Sequence, residues 1–274
     1  MCSTLALTVA APAAWAKRRP PVSSTSTTTT VPSTSTTSAP STTTTTQPST
    51  TTTTTPAAQP VTGGYDISWP QCSTSYPSNP AFGIVGVSDG RPFHDNPCLA
   101  DEYAWAVTAP SAAGFYMNTA NPGASSVHWT EAGPRACSGA SDDLGCAYNY
   151  GWNAAAHAFA YADAQTGGAA TATWWLDIET ANTWSSSTSV NTADIRGMVD
   201  YFAAASLPVG IYSTTLDWNQ ITGGLALDVP NWVAGASGST QAVRWCSSTT
   251  STFTGGRVAL VQYPLHGFDG NAAC

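Results

Sequence analysis

The chain reads as an α/β protein with a largely parallel sheet, and three observations point there. Seven short apolar runs recur along residues 63–274, three stretches of helix-like apolar spacing fall between them, and the runs end in polar or aromatic residues. Strands that alternate with helical segments imply parallel pairing, because a parallel neighbour is reached only through a crossover. The sheet is then closed as a barrel or left open. Repeated short runs with chemistry-bearing ends favour a barrel, whose working residues sit on the C-terminal face.

In chain order, residues 1–16 (MCSTLALTVAAPAAWA) are apolar and end in Ala14-Trp15-Ala16, the small-x-small pattern of a signal-peptidase site. They are expected to be a signal peptide, without the usual basic start. Residues 17–62 begin Lys17-Arg18-Arg19 and continue in Thr, Ser and Pro. That tract has too little to bury to offset its chain entropy and is expected to be a disordered linker giving reach. Residues 63–274 form the expected barrel domain. Its strands are placed at 64–67, 82–87, 112–117, 173–178, 209–212, 231–234 and 258–262, and its helices at 101–108, 149–165 and 192–205. Asn191-Thr192-Ala193-Asp194 offers a capping side chain and a first-turn acid for the last of these. No later run is long and apolar enough to cross a bilayer, so the expectation is an exported monomer, extracellular or wall-associated, with no membrane contact beyond export.

All sixteen acidic residues lie in the domain against five Arg and no Lys, a formal charge of −11. Nucleic acid is excluded as a ligand, since phosphate binding relies on Lys and Arg. Six domain cysteines, Cys72, Cys98, Cys137, Cys146, Cys246 and Cys274, read as three disulfides in an exported chain. Fifteen connectivities are open; nearest-neighbour order would give 72–98, 137–146 and 246–274. Wide Cys spacing and four scattered His point to no metal and no cofactor. Gly-rich phosphate loops, the GxSxG elbow and HExxH are absent.

Trp174-Trp175-Leu176-Asp177-Ile178-Glu179 carries the chemistry. Side chains alternate along a strand, so Asp177 and Glu179 share a face, ~7 Å apart along the backbone. Two carboxyls in an apolar setting raise one another's pKa, which keeps one protonated for general-acid work. Asp66 in Gly64-Tyr65-Asp66-Ile67-Ser68 also ends a run. Asp269, in Phe268-Asp269-Gly270-Asn271 after Gln262-Tyr263, is either a site acid or part of an ordinary Asp-Gly-Asn turn. Tyr65, Tyr116, Trp175, Tyr212, Trp232 and Tyr263 are candidates to line a sugar groove, with core packing the alternative for each. Arg91, after Asp89-Gly90, is a loop residue or faces a lactyl or peptide carboxyl.

The ordered set GYDISWPQC, Gly114-Phe115-Tyr116, WWLDIE, Gly210-Ile211-Tyr212-Ser213, Asn231-Trp232-Val233-Ala234 and VQYPLHGFDGN resembles glycoside hydrolase family 25 across 63–274. These are the Chalaropsis-type lysozymes, muramidases that cut between N-acetylmuramic acid and N-acetylglucosamine; the chain looks like a divergent, exported, actinobacterial-like branch. The resemblance implies a modified TIM-like β/α barrel with reduced outer helices. It implies Glu179 as general acid, Asp177 as its partner at the substrate acetamido group or the oxocarbenium-like transition state, and Asp66 and Asp269 as flanking carboxylates. The chain departs from the pattern at Gly86-Val87-Ser88-Asp89-Gly90, where the family has a Lys strand and T-E-G. Met117-Asn118 stands where it has His-Phe, and Val261 stands where it has the Trp of W-Q-Y. The expected function is a secreted, peptidoglycan-directed glycosidase. The alternatives are a non-catalytic wall-binding module on the same barrel and a metal-dependent phosphodiesterase or deacetylase barrel.

Overall fold

The computed structural model describes residues 59–274. The expected signal peptide, and the expected linker as far as residue 58, lie outside the described residues. Eight strands close into a barrel in chain order. They are β1 (Val61–Ile67), β2 (Gly83–Gly86), β3 (Gly114–Asn118), β4 (Trp174–Asp177), β5 (Val209–Ser213), β6 (Asn231–Val233), β7 (Val258–Leu265) and β8 (Phe268–Ala273). Strands β1 to β7 run parallel, and β8 pairs antiparallel with both β7 and β1. Residues 61 and 62, assigned to the linker from sequence, already belong to β1.

Helices α1 (Leu99–Ala106), α2 (Leu144–Thr166), α3 (Thr188–Ala204), α4 (Thr215–Thr222) and α5 (Ser239–Trp245) bridge consecutive strands from β2 to β7. The β1–β2 connection holds only a short 3₁₀ turn, Trp69–Gln71, and β7–β8 is a hairpin. This is the barrel with reduced outer helices that the motifs implied. The longest helix, α2, starts at Asp143, whose carboxylate accepts from the Cys146 amide, and stops at Gly167 in the left-handed region. Helices α2 and α3 meet where side chains vanish. A Cβ on Gly151 would stand 2.0 Å from the Asp194 carbonyl oxygen, and one on Gly197 would stand 2.0 Å from that of Tyr148.

Strand alternation sorts the side chains. In β4, Trp174 and Leu176 point outward into the core beneath the helices, where Trp174 stacks on Phe202 at 4.7 Å. Trp175 and Asp177 point inward. Inside the barrel, Phe82, Ile84, Trp175, Trp232 and Leu260 pack into one cluster that plugs its lower half. Trp175 and Trp232 meet edge to face at 5.7 Å. The upper half, at the C-terminal ends of the parallel strands, is left to polar groups.

Three features differ from the sequence reading. Phe268–Ala273 is a strand, although Asp-Gly-Asn reads as a turn. The turn is instead His266-Gly267, two positive-φ residues between Leu265 and Phe268, the geometry of a tight hairpin. Helix α3 begins after Ser187, so Asn191 lies inside it. Its amide ties down the preceding loop through Ser185 and reaches the Ile221 carbonyl on α4. Helices α4 and α5 went unforeseen because they are short and largely polar. The disulfides are Cys72–Cys98, Cys137–Cys146 and Cys246–Cys274, the nearest-neighbour set.

Candidate active site

The register brings the acids together. Asp177, at the end of β4, pairs across to Asn118 on β3 and Tyr212 on β5. Asp66 on β1 stands directly opposite Asp269 on β8, a Cα separation of about 5 Å for such a pair. Glu179 follows β4 by two residues and comes up on the same inner face. The four carboxyls line one cleft of about 260 Å³ at the C-terminal mouth, with Ser68–Gln71, Tyr116, Asn118, Tyr212, Trp232 and Gln262. No Lys, Arg or His lines it.

Hydrogen bonds hold the deeper acids in place. Asp66 is buried and accepts from Asn271 Nδ2 at 2.6 Å and from Gln262 Nε2 at 3.2 Å on each oxygen. Tyr212 donates to the other end of Gln262 at 2.9 Å, and Trp232 Nε1 donates to Asn271 at 2.8 Å. Asp177 is also buried; its Oδ2 accepts from Asn118 Nδ2 at 2.6 Å, and its Oδ1 has no partner within hydrogen-bond distance among the described residues. Asn118 is itself set by Ser88, whose hydroxyl donates to its side-chain oxygen at 3.1 Å and accepts from its backbone N–H at 2.8 Å. Glu179 is partly exposed to the cleft.

With no cation to offset burial, all four carboxyls are pushed upward. Burial, then the charge of Asp269, raises Asp66 to about 8 against the donors from Asn271 and Gln262. Burial and the charge of Glu179 hold Asp177 well above the usual carboxylate range. Burial and the charge of Asp217 raise Glu179, and burial raises Asp269. Neighbouring carboxyls cannot all ionise in so small a volume, so the cleft carries protons at neutral pH. It can therefore donate one to a substrate and stabilise positive charge with the carboxylates that remain.

Of the aromatic candidates, Tyr116, Tyr212 and Trp232 line the cleft. The other three lie elsewhere. Tyr65 alternates outward from Asp66 and packs edge to face on Phe268 at 6.3 Å. Trp175 belongs to the buried plug, and Tyr263 packs outside the barrel with Val233, Val261 and Ala272. A strand's period of two sends Tyr65 and Tyr263 outward, because the inner face belongs to Asp66 and Gln262.

Residues in and beneath the cleft have roles that the sequence did not assign. Asn118, Gln262 and Asn271 position the acids, and each sits at an inward register position near a strand's mouth end, which was the available signal. Trp69 lines the rim and is 42% exposed, one of few large apolar side chains left open. It stood in the GYDISWPQC stretch without a role. Among the described residues no group of three or more His, Cys, Asp or Glu is arranged to hold a metal ion, and no helix is long and apolar enough to cross a membrane.

A family model described as Lys-1, Lysozyme-like protein 1, matches residues 149–245, from within α2 to the end of α5. The solved muramidase from Acremonium alcalophilum has a similar fold, with a TM-score of 0.50 and 21% identity over 79% of this chain and 94% of that one. The bacterial lysozyme from Streptomyces coelicolor gives 0.49 at 19% identity, over 80% of this chain and 92% of that one. A family 25 glycosyl hydrolase from Bacillus anthracis gives 0.47 at 9%, over 79% and 88%. No curated protein matches the chain in sequence.

Proposed function

We propose that the barrel is a peptidoglycan-directed glycosidase that cleaves N-acetylmuramic acid–N-acetylglucosamine linkages with carboxyl groups alone. The observation that carries this reading is the convergence of Glu179, Asp177, Asp66 and Asp269 in one cation-free cleft. The lysozyme-like match over 149–245 and the barrel shared with the Acremonium muramidase support it, as does the motif resemblance to glycoside hydrolase family 25. Three disulfides fit work outside the cell.

Glu179 is the acid, because it is the member of the coupled pair that reaches open space. It gives its proton to the departing glycosidic oxygen as the bond to the anomeric carbon breaks. Water then adds to that carbon and returns a proton to the carboxyl set. Asp177 lies behind it, clamped on one oxygen by Asn118 and unpartnered on the other. That second oxygen is buried on the Glu179 side and holds the proton that resupplies Glu179. Asp66 and Asp269 face the ring across the cleft as a pair that shares a proton, and the one charge they carry stabilises the oxocarbenium-like transition state. Trp69, Tyr116 and Tyr212 give the sugar rings flat partners.

Glu179→Gln keeps the shape and removes the acid. Release of reducing ends from purified cell wall should fall by roughly 100- to 10,000-fold, with the thermal midpoint near that of the wild type. Unchanged release would sink the assignment. A wall-binding module would instead bind the glycan and release nothing in either form.

A further inference from the structure

A second cleft, of about 440 Å³, opens on the same end of the barrel. Residues 90–94 after β2, residues between 120 and 128 after β3, and residues 181–183 after β4 line it. It lies next to the carboxylate cleft. Asn118 and Glu179 line the first, Ala120 and Ala181 line the second, and two residues span at most ~7 Å. Trp69 stands between them: it lines the first cleft, and a Cβ on Gly90 of the second would sit 3.6 Å from its indole nitrogen.

The chemistry of the two clefts is opposite. Four carboxyls and no cation line the first; Arg91, His94 and His128 and no carboxyl line the second. A domain with five Arg, no Lys and four His has placed three of them in one hollow. Arg91 makes no ion pair among the described residues, where the two ion pairs both belong to His. His128 is held by Glu131 through Nδ1 and stacked on Phe93 at 3.8 Å, which leaves Nε2 as a further polar contact. On the wall, Asn182 Nδ2 is buried and without an acceptor among the described residues.

We infer that this cleft receives a carboxylate-bearing branch of the glycan cut next door, with Arg91 as its charged anchor. The inference rests on the glycosidase reading. An anion so close to Glu179 must hang from a sugar beside the scissile bond, and in peptidoglycan that branch is the lactyl-linked peptide of N-acetylmuramic acid. Guanidinium is suited to it, as it offers paired donors to a carboxylate.

Calorimetry on Glu179→Gln protein, with and without Arg91→Ala, tests this using three probes. These are a muramyl disaccharide bearing a peptide with free carboxylates, the same with the peptide carboxylates amidated, and the disaccharide without peptide. Amidation or Arg91→Ala should each weaken binding about fivefold, the upper range for one half-solvated ion pair. Arg91→Ala should leave the peptide-free disaccharide unaffected. Equal or undetectable binding of all three probes, or an equal loss on all three, overturns the assignment. Wall cleavage by the wild-type protein is scored separately. Cleavage with no dependence on Arg91 removes the second cleft's role alone, whereas Arg91-dependent binding without cleavage keeps that role and removes the glycosidase reading.

Discussion

Asp66 and Glu102 show what buried acids do to this protein away from any substrate. Asp66 sits at about 8 in the fold against 3.8 for an ordinary Asp, and burial raises Glu102, which accepts from Asn96, from 4.5 to about 7. Both hold more protons folded than unfolded between those values, so stability falls as pH rises through that window. The thermal midpoint should be highest on the mildly acid side and decline from about pH 5 to pH 8, by roughly 2–4 °C for each kcal/mol lost. A midpoint that is flat or rising over that range would contradict the burial of these groups. Residues whose chemistry is charge could be picked from the sequence, as Asp66, Asp177, Glu179 and Asp269 were. Asn118, Gln262 and Asn271 could not, since an amide gains its role only from the neighbour that the register supplies.

At the scale of elements, the paired helices α2 and α3 depend on what is missing between them. Gly151→Ala would drive a methyl into the Asp194 backbone carbonyl, a clash that moving the Asp194 side chain cannot relieve. It should cost about 1–3 kcal/mol, read as a lower midpoint in denaturant. An unchanged midpoint would mean that the helices can part without penalty. The same distinction explains which elements were legible. Strands β1 to β7 announce themselves as apolar runs because both of their faces are covered. Strand β8 hid because its inner face carries Asp269 and Asn271 and its centre is Gly270, all turn-forming residues by composition. Helix α3 was placed late because the Ser- and Thr-rich approach to it offers several equivalent caps.

For the whole molecule, closure rests on β8, which pairs on both edges and is tied at Cys274 to Cys246 behind α5. The bond closes a loop of 28 residues, worth about 3.6 kcal/mol on chain-entropy grounds. Cys274→Ser should lower stability by that order and loosen β8 first. Amide exchange at Asn271–Ala273 is the measurement, and protection equal to the wild type would mean that pairing alone shuts the barrel.

The aromatic plug beneath the acids has a consequence for timing. Trp232 over Trp175, with Ile84 and Leu260, fills the barrel beneath the acids, so the mouth is the direct route for protons entering or leaving the four carboxyls. A glycan strand bound there, as proposed, would shut that mouth. The protonation pattern present at capture is then the one that serves the turnover, and bulk pH acts only on the empty protein. Accordingly kcat/KM should follow the carboxyl titrations closely while kcat varies much less with pH, and parallel profiles for the two would reveal a second proton route.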